Sequence, residues 1–287
     1  MFNKKKIAEL KGFGFLLQND NEHFSVRFIS KAGNFTTSEM ESISKIANKY
    51  GRGYIGLTTR LSIEVPWING NDIESVIKEA KELGLTHGGT GKKLRPLVAC
   101  KGTICLHGNI DTQGICNKLA ELHFAQDTPS KCKVTVTGCA NNCSKASLND
   151  IGIMGLTIPE FNLDKCVGCG MCANSCRQKA LTVIDKKIVF DKSKCVDCGN
   201  CVRSCKLGAA TCKKKGAQIY IGGRFGRSYR FGTNLGKVFE EDEICNAVEK
   251  ILNYYIENGI PGERICHLMD RLGEEKVLRD ICNLLFN

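Results

Sequence analysis

Two eleven-residue runs, C-V-G-C-G-M-C-A-N-S-C at 166–176 and C-V-D-C-G-N-C-V-R-S-C at 195–205, repeat the spacing C-x2-C-x2-C-x3-C. No other feature of the chain restricts its fold as tightly. The spacing is a ligand pattern for paired [4Fe–4S] clusters: three cysteines on a tight loop reach three irons of one cube, and the fourth turns away to ligate the other. It therefore assigns Cys166, Cys169, Cys172 and Cys205 to one cluster and Cys195, Cys198, Cys201 and Cys176 to a second. Zinc is the competing occupant, but structural zinc sites commonly take two paired C-x2-C units, a poorer match to this duplicated run.

The two runs make residues 159–215 a bacterial two-cluster ferredoxin module. Arg177 and Lys206 stand where such modules usually carry proline after the last cysteine, which touches the loop exit more than ligation. Cysteine makes up 18 of 287 residues, absent before Cys100, dense to Cys212 and sparse at Cys245, Cys266 and Cys282. In a reducing compartment so many cysteines point to metal rather than disulfides. The length suits about two domains or one with an insertion. A hydrophobic fraction of 42% and a charged fraction of 25% fit a folded globular chain. No apolar run approaches the roughly 18 residues of a membrane span. Lys4, Lys5 and Lys6 are followed by Glu9 and Lys11 with no cleavage site, so a cytoplasmic protein away from membranes is expected.

The net charge of +11 calls for something anionic, with nucleic acid the default partner. Residues 160–215 alone hold 12 Lys and Arg against 5 Asp and Glu. Thiolate-bound cubes are themselves anionic and account for part of that excess, so no nucleic-acid partner is expected; Lys213, Lys214 and Lys215 also suit a solvated face.

The first zone reads as an α/β unit. His23 to Ser30 suits a strand, and Thr36 with Glu39 forms a capping box for a helix bearing Met40, Ile43, Ala47 and Tyr50. Tyr54 to Val65 alternates, with Ile55, Leu57, Leu61, Ile63 and Val65 on one face and Arg60 on the other. Asn71 and Glu74 are expected to cap a helix with Ile73, Ile77, Ala80 and Leu83 inward, ended by Gly84. Lys131 to Thr137 reads as a strand with Lys131 and Lys133 on one face, and 237–257 and 264–283 read as helices.

Four further cysteines form a second constellation: Cys100 and Cys105 in L-V-A-C-K-G-T-I-C-L-H-G, Cys139 and Cys143 in T-G-C-A-N-N-C-S-K-A-S-L-N-D-I-G. Spacing alone allows a third cube, a zinc site or buried thiols. T-G-C-A-N-N-C followed by N-D-I-G-I-M-G resembles the cluster-and-sirohaem signature of the nitrite/sulfite reductase family, in particular the anaerobic and dissimilatory types with an inserted ferredoxin. The resemblance extends to G-R-G-Y-I-G-L-T-T-R-L-S-I-E-V at 51–65, P-S-K-C-K-V-T-V-T-G-C at 129–139, I-G-G-R-F-G-R-S at 221–228 and P-G-E-R-I-C-H-L-M-D-R-L-G at 261–273. One departure is that four residues separate Cys100 from Cys105, where the better-known members have five.

The resemblance implies an α+β fold: a ferredoxin-like half-domain over 1–88, a sirohaem and [4Fe–4S] α/β domain over 89–158 and 216–287, and the inserted two-[4Fe–4S] ferredoxin over 159–215. It implies that Cys100, Cys105, Cys139 and Cys143 hold a third [4Fe–4S] cluster, with Cys143 bridging to sirohaem as the axial ligand. It further implies that Arg60, Arg95, Lys131 and Lys133 surround an oxyanion substrate, Arg60 and Arg95 also serving the cofactor. The activity to expect is six-electron reduction of sulfite to sulfide, with nitrite reduction or a non-catalytic electron-transfer subunit as alternatives. The better-known assimilatory members hold two copies of the half-domain and cluster-domain unit. One copy here implies a homodimer or a hetero-oligomer with other reductase subunits. No flavin or nicotinamide motif is visible, so electrons are expected from an external ferredoxin or flavoprotein, and the cluster load points to an anaerobe. His107 and His123 are taken as structural or exposed, and Cys116, Cys132, Cys212, Cys245, Cys266 and Cys282 as buried small hydrophobes.

Overall fold

The computed structural model describes residues 2–286. It forms two compact units: one takes the N-terminal stretch to Ala99, Cys116–Thr135 and the C-terminal stretch from Lys250; the other takes Cys100–Ile115 and Val136–Glu249. No helix among the described residues is long and apolar enough to cross a membrane.

The first unit opens with α1 (Lys4–Gly12), β1 (Phe15–Leu17), β2 (His23–Phe28), α2 (Thr37–Tyr50), β3 (Gly56–Leu57), β4 (Ile63–Asn69) and α3 (Ile73–Glu82). Its strands make one antiparallel sheet in the order β1-β2-β4-β3. β2 is a clean period-2 strand: Phe24, Val26 and Phe28 are fully buried while His23, Ser25 and Arg27 are half-buried. Ile43, Ile46 and Ala47 of α2 and Ile73, Val76 and Ala80 of α3 complete the core over that face. The expected capping box starts α2, with Glu39 N–H donating to Thr36 Oγ1 at 3.1 Å and Thr36 N–H to the Glu39 carboxylate at 2.7 Å. Met40, expected inward, is exposed.

Three local expectations are corrected. The run 54–65 is a hairpin, not one strand: Thr58 N–H donates to Ser62 O at 2.9 Å, and Leu61 takes a left-handed φ of 56°. Reversal at the turn breaks the alternation, leaving Leu57 84% exposed and Ile63 buried. Asn69, not Asn71, caps the turn before α3, accepting from Asn71 N–H at 2.9 Å; Asp72 stands at the N-cap of α3 without a side-chain bond.

The chain continues through β5 (Val98–Ala99), α4 (Thr112–His123), β6 (Val134–Thr137), β7 (Ile151–Phe161), α5 (Met171–Ser175), β8 (Leu181–Ile184), β9 (Lys187–Phe190), α6 (Asn200–Ser204), β10 (Ala210–Ile221), β11 (Thr233–Asn234), α7 (Glu243–Asn258), α8 (Ile265–Leu272) and α9 (Glu274–Phe286). In the second unit β7 and β10 pair antiparallel from Ile151↔Ile221 to Phe161↔Ala210, with β11 beside β10 and β6 beside β7. Strand β6 is shorter than expected: Lys131 and Lys133 precede it, and all four of its residues are buried, Thr135 and Thr137 included, so it shows no polar face.

The helix expected from Lys237 starts only at Glu243, because Phe239 is drawn into a backbone pair with Ala217, N–H to O at 2.8 Å both ways. The helix expected over 264–283 breaks at Gly273, whose φ of 89° ends α8. Of the cysteines expected to be buried, Cys116, Cys132, Cys245 and Cys266 are; Cys282 is half-buried and Cys212 is exposed beside a bulge in β10.

Glu263, buried before α8, receives two 2.8 Å bonds from the Arg271 guanidinium and one of 3.1 Å from Ile260 N–H. Arg271 first, then that N–H, hold its carboxyl below the usual range against burial. Glu263→Gln should cost about 2 kcal/mol in chemical denaturation at neutral pH, the loss of charge-assisted bonds. Because the folded carboxyl is the stronger acid, this stabilisation is present above the ordinary Glu value of about 4.3 and lost as pH falls through the lower folded value.

Candidate metal centres

Residues 162–209 leave β7 and return to β10 side by side, Asn162 N–H donating to Ala209 O at 2.8 Å. This segment therefore prolongs a hairpin whose ends already meet. Its halves are built alike: Gly170 and Gly199 take left-handed φ of 76° and 73°, which glycine adopts without strain, and each starts a short helix, α5 or α6. The hairpin β8–β9 joins them.

Cys166, Cys169, Cys172 and Cys205 line one cavity with Phe161, Val183, Ile188 and Leu207. Cys176, Cys195, Cys198 and Cys201 line another with Pro159, Leu181 and Phe190. Each set takes three thiols from one run and the last thiol of the other. With their open mouths the two spaces measure about 390 and 340 Å3. The crossing cysteines are held alike, Cys176 Sγ accepting from Ala180 N–H and Cys205 Sγ from Ala210 N–H, both at 3.3 Å. Burial pushes the thiol of Cys201 up to about 12 and that of Cys195 up to about 11, and burial with the neighbouring Cys205 and Cys166 raises Cys172. Burial also raises Cys205, but backbone N–H groups from Leu207 to Ala210 outweigh it and lower the thiol overall. Thiols gathered in apolar cavities ionise poorly alone, so a bound cationic metal centre suits them as the group that stabilises their charge.

The second constellation belongs to the same unit. Cys100 follows β5, Cys105 lies in the turn beyond it, and Cys139 and Cys143 sit in the loop after β6. Glycines bring these backbones together: a Cβ on Gly102 would stand 2.9 Å from Gly138 Cα, and one on Gly155 2.6 Å from Gly138 O. Gly138 N–H donates to Cys100 Sγ at 3.1 Å. The Cys139 thiol is raised by burial and by the fields of Cys100, Cys143 and Cys105, so the other three thiols all lie close enough to act on it. Cys139 is buried, Cys100 half-buried, and Cys105 and Cys143 exposed. Among the described residues no three His, Cys, Asp or Glu side chains converge as they would on a single metal ion.

The four basic residues expected around an anion all belong to the first unit. Arg60 sits in the 58–62 turn and its guanidinium is already engaged: Nε donates to Pro96 O at 3.0 Å, Nη2 to Val134 O at 2.9 Å, and Nη1 to Thr135 Oγ1 at 3.4 Å. It thereby joins that turn to the start of β6. Arg95 N–H donates to Cys132 O at 2.8 Å, while its buried Nε has no hydrogen-bond partner. Burial, then the fields of Arg27 and Arg264, lower its basicity. Arg95 Nε is thus a buried donor without a partner in a positive field, a place that favours an anion, although Arg27 itself is paired with Glu64 at 2.6 Å. Lys131 is exposed and Lys133 half-buried. Arg264 is buried and went unsingled in the sequence, though it lies within P-G-E-R-I-C-H; Asn109, fully buried beside the cysteines, carried no signal at all. His123 is buried, Nδ1 3.2 Å from Gln126 Oε1, and His107 is half-buried.

A half-domain of two helices on an antiparallel sheet, followed by a sheet whose loops gather cysteines around apolar cavities, defines the class of α+β proteins equipped to hold iron–sulfur clusters. The family model for the nitrite and sulphite reductase 4Fe-4S domain matches residues 90–285, and that for the nitrite/sulfite reductase ferredoxin-like half domain matches 16–83. The chain belongs to the nitrite and sulfite reductase family. It is 33% identical over 270 residues to the coenzyme F420-dependent sulfite reductase of Methanocaldococcus jannaschii, covering 93% of this chain but only 43% of that protein. It is also 33% identical to a subunit of the anaerobic sulfite reductase of Salmonella typhimurium, covering 82% of this chain and 77% of that one. The solved structure of dissimilatory sulfite reductase I superposes with a TM-score of 0.73 at 21% identity, over 90% of this chain and 69% of that one, which shows a shared fold.

Proposed function

We propose that the chain binds three [4Fe–4S] clusters and a sirohaem and catalyses the six-electron reduction of sulfite to sulfide. Its parts are a half-domain over 1–88, a cofactor domain over 89–158 and 216–287, and a ferredoxin module over 159–215. The observation that carries the reading is the crossed lining of the two module cavities, together with the gathering of Cys100, Cys105 and Cys143 around Cys139. The Cys143 sulfur is exposed and so open to a second iron, and Ile104 and Leu106, 80% and 89% exposed around Cys105, offer apolar surface of the kind a flat macrocycle covers.

A bound tetrapyrrole, held beside the exposed Cys143 sulfur, would supply redox-active iron for the reduction. The chain's own part is electrostatic. Arg95, Lys131 and Lys133 neutralise the oxyanion as its S–O bonds polarise, and Arg60 both faces it and holds its surroundings in place. The lysine ammonium groups, or water held by them, deliver protons to the departing oxygens. Electrons enter from an external ferredoxin or flavoprotein through the module. The Salmonella relative is one subunit of its enzyme, which favours a hetero-oligomer here too.

Anaerobic purification from a host that makes sirohaem should yield haem-like absorption bands above the iron–sulfur shoulder, and reduced viologen should drive sulfite consumption. Nitrite is the second reading, because the matched family model spans both reductases; the two anions are compared in parallel by kcat/KM. Iron and sulfide without any tetrapyrrole would reduce the chain to an electron carrier.

A further inference from the structure

The two cysteine runs are sequence repeats that differ at four positions, and one of the four exchanges a neutral side chain for a cation: Asn174 of the first run is Arg203 in the second. Arg203 Nη2 donates to Cys198 O at 2.7 Å and to Asn200 Oδ1 at 2.8 Å, while Nη1 donates to Asn109 Oδ1 at 3.1 Å. Asn109 is 1% exposed, and its side chain does nothing for an apolar core. Its Oδ1 also accepts from Thr157 Oγ1 at 3.0 Å, and its backbone N–H donates to the carbonyl of Gly138, the residue before Cys139, at 2.9 Å. The Cys198 loop is fastened to the same place by Thr157 N–H, which donates to Asp197 O at 2.7 Å. An unbroken path of bonds and hydrogen bonds thus runs from the backbone of Cys198 through Arg203 and Asn109 to the backbone next to Cys139. A cleft of about 520 Å3 with its open mouth, lined in part by His107, Asn141, Arg177 and Gln178, lies beside it and also touches Cys139 and Cys198.

We infer that Asn109 and Arg203 form a positioning bridge between the Cys176/Cys195/Cys198/Cys201 set and the Cys100/Cys105/Cys139/Cys143 set, fixing the coupling through which electrons pass from one to the other. The inference rests on the reading above that both sets hold clusters. Two properties of arginine are used. Its planar fork reaches Asn109 from Nη1 while Nη2 holds Cys198 O and Asn200, a spread over two fixed nitrogens that the single ammonium nitrogen of lysine does not reproduce, and its fixed charge favours the reduced, more negative form of the adjacent cube. The first run has the uncharged Asn174 at this position, so only the second cluster has the arginine; Asp197, whose carboxylate lies 3.5 Å from Cys195 Sγ, offsets part of its charge, and it is the fastening to the backbone beside Cys139 that makes the second cluster the exit station of the module.

The test compares Arg203→Ala, Arg203→Lys and Asn109→Ala with the parent protein, full-length and anaerobic. Iron and sulfide are counted first, then cluster potentials and the magnetic interaction between reduced clusters are read by electron paramagnetic resonance. Arg203→Ala should keep its iron, lower the potential of the second cluster, weaken its interaction with the third, and speed hydrogen exchange at the Thr157 amide about tenfold or more. Arg203→Lys should keep the potential and lose the interaction, separating charge from clamp. Asn109→Ala, outside both cysteine runs, should lose the interaction with the potential nearly unchanged. Variants with full clusters and unaltered interaction and potential overturn the bridge alone. A parent lacking either cluster overturns the functional reading and the bridge with it.

Discussion

Cys205→Ala should empty the cavity lined by Cys166, Cys169 and Cys172 rather than the one lined by the three other thiols of its own run. Removing one ligand of a cube strips its anchor, so iron and sulfide in the purified protein should fall by about a third if three cubes are present. The decisive comparison is between double variants. Cys205→Ala with Cys166→Ala should lose no more iron than either alone, because both belong to one cube. Cys205→Ala with Cys195→Ala should lose about two thirds, because two cubes are struck. The reverse pattern would mean that each run closes on its own cluster and that the crossed lining has no chemical meaning. Neither variant disturbs a core strand, since Cys205 ends the short helix α6 and Cys195 precedes the loop that enters it.

Lys133→Ala should lower kcat for sulfite about 100-fold while tetrapyrrole and iron contents stay at the parent level, the size expected when one group that stabilises developing charge is removed. Lys133 lies just ahead of β6, half-buried, so truncation leaves the sheet intact. Arg60→Ala should behave differently. Its guanidinium satisfies the carbonyls of Pro96 and Val134, and its loss leaves those acceptors short of donors, so stability should fall together with turnover. Arg60→Lys should recover the charge without the fork and so regain little of either. Normal sulfite reduction by Lys133→Ala with the cofactors bound would remove that lysine from the site.

What could be read in advance was whatever is encoded over a few neighbouring residues. The capping box of α2 depends on two side chains three residues apart, and both bonds form. Cluster spacing is local too, since a tight loop sets which thiols reach one cube; the crossing of Cys176 and Cys205 follows from the same geometry and appears in the cavity linings. Family membership was legible in T-G-C-A-N-N-C and N-D-I-G-I-M-G, and the matched family models cover those residues.

The misreadings share a cause. Alternation along 54–65 is the same whether the segment runs straight or folds back at Thr58–Ser62, and only pairing of β3 with β4 decides between them. The helical pattern from Lys237 could not reveal that Phe239 pairs with Ala217 instead. Arg60 could be placed on a polar face, but its acceptors lie 36 and 74 residues away. Asn109 belongs to no pattern along the chain; only the folded backbone brings Arg203 and the Gly138 carbonyl to it.

The amino-acid order by itself thus determined which thiols come to line a common cavity and which family the chain joins, because those depend on short spacings along a covalent chain. Tertiary structure alone decided which basic and amide side chains are held where, because a buried charge or amide takes its position from acceptors that distant segments bring to it.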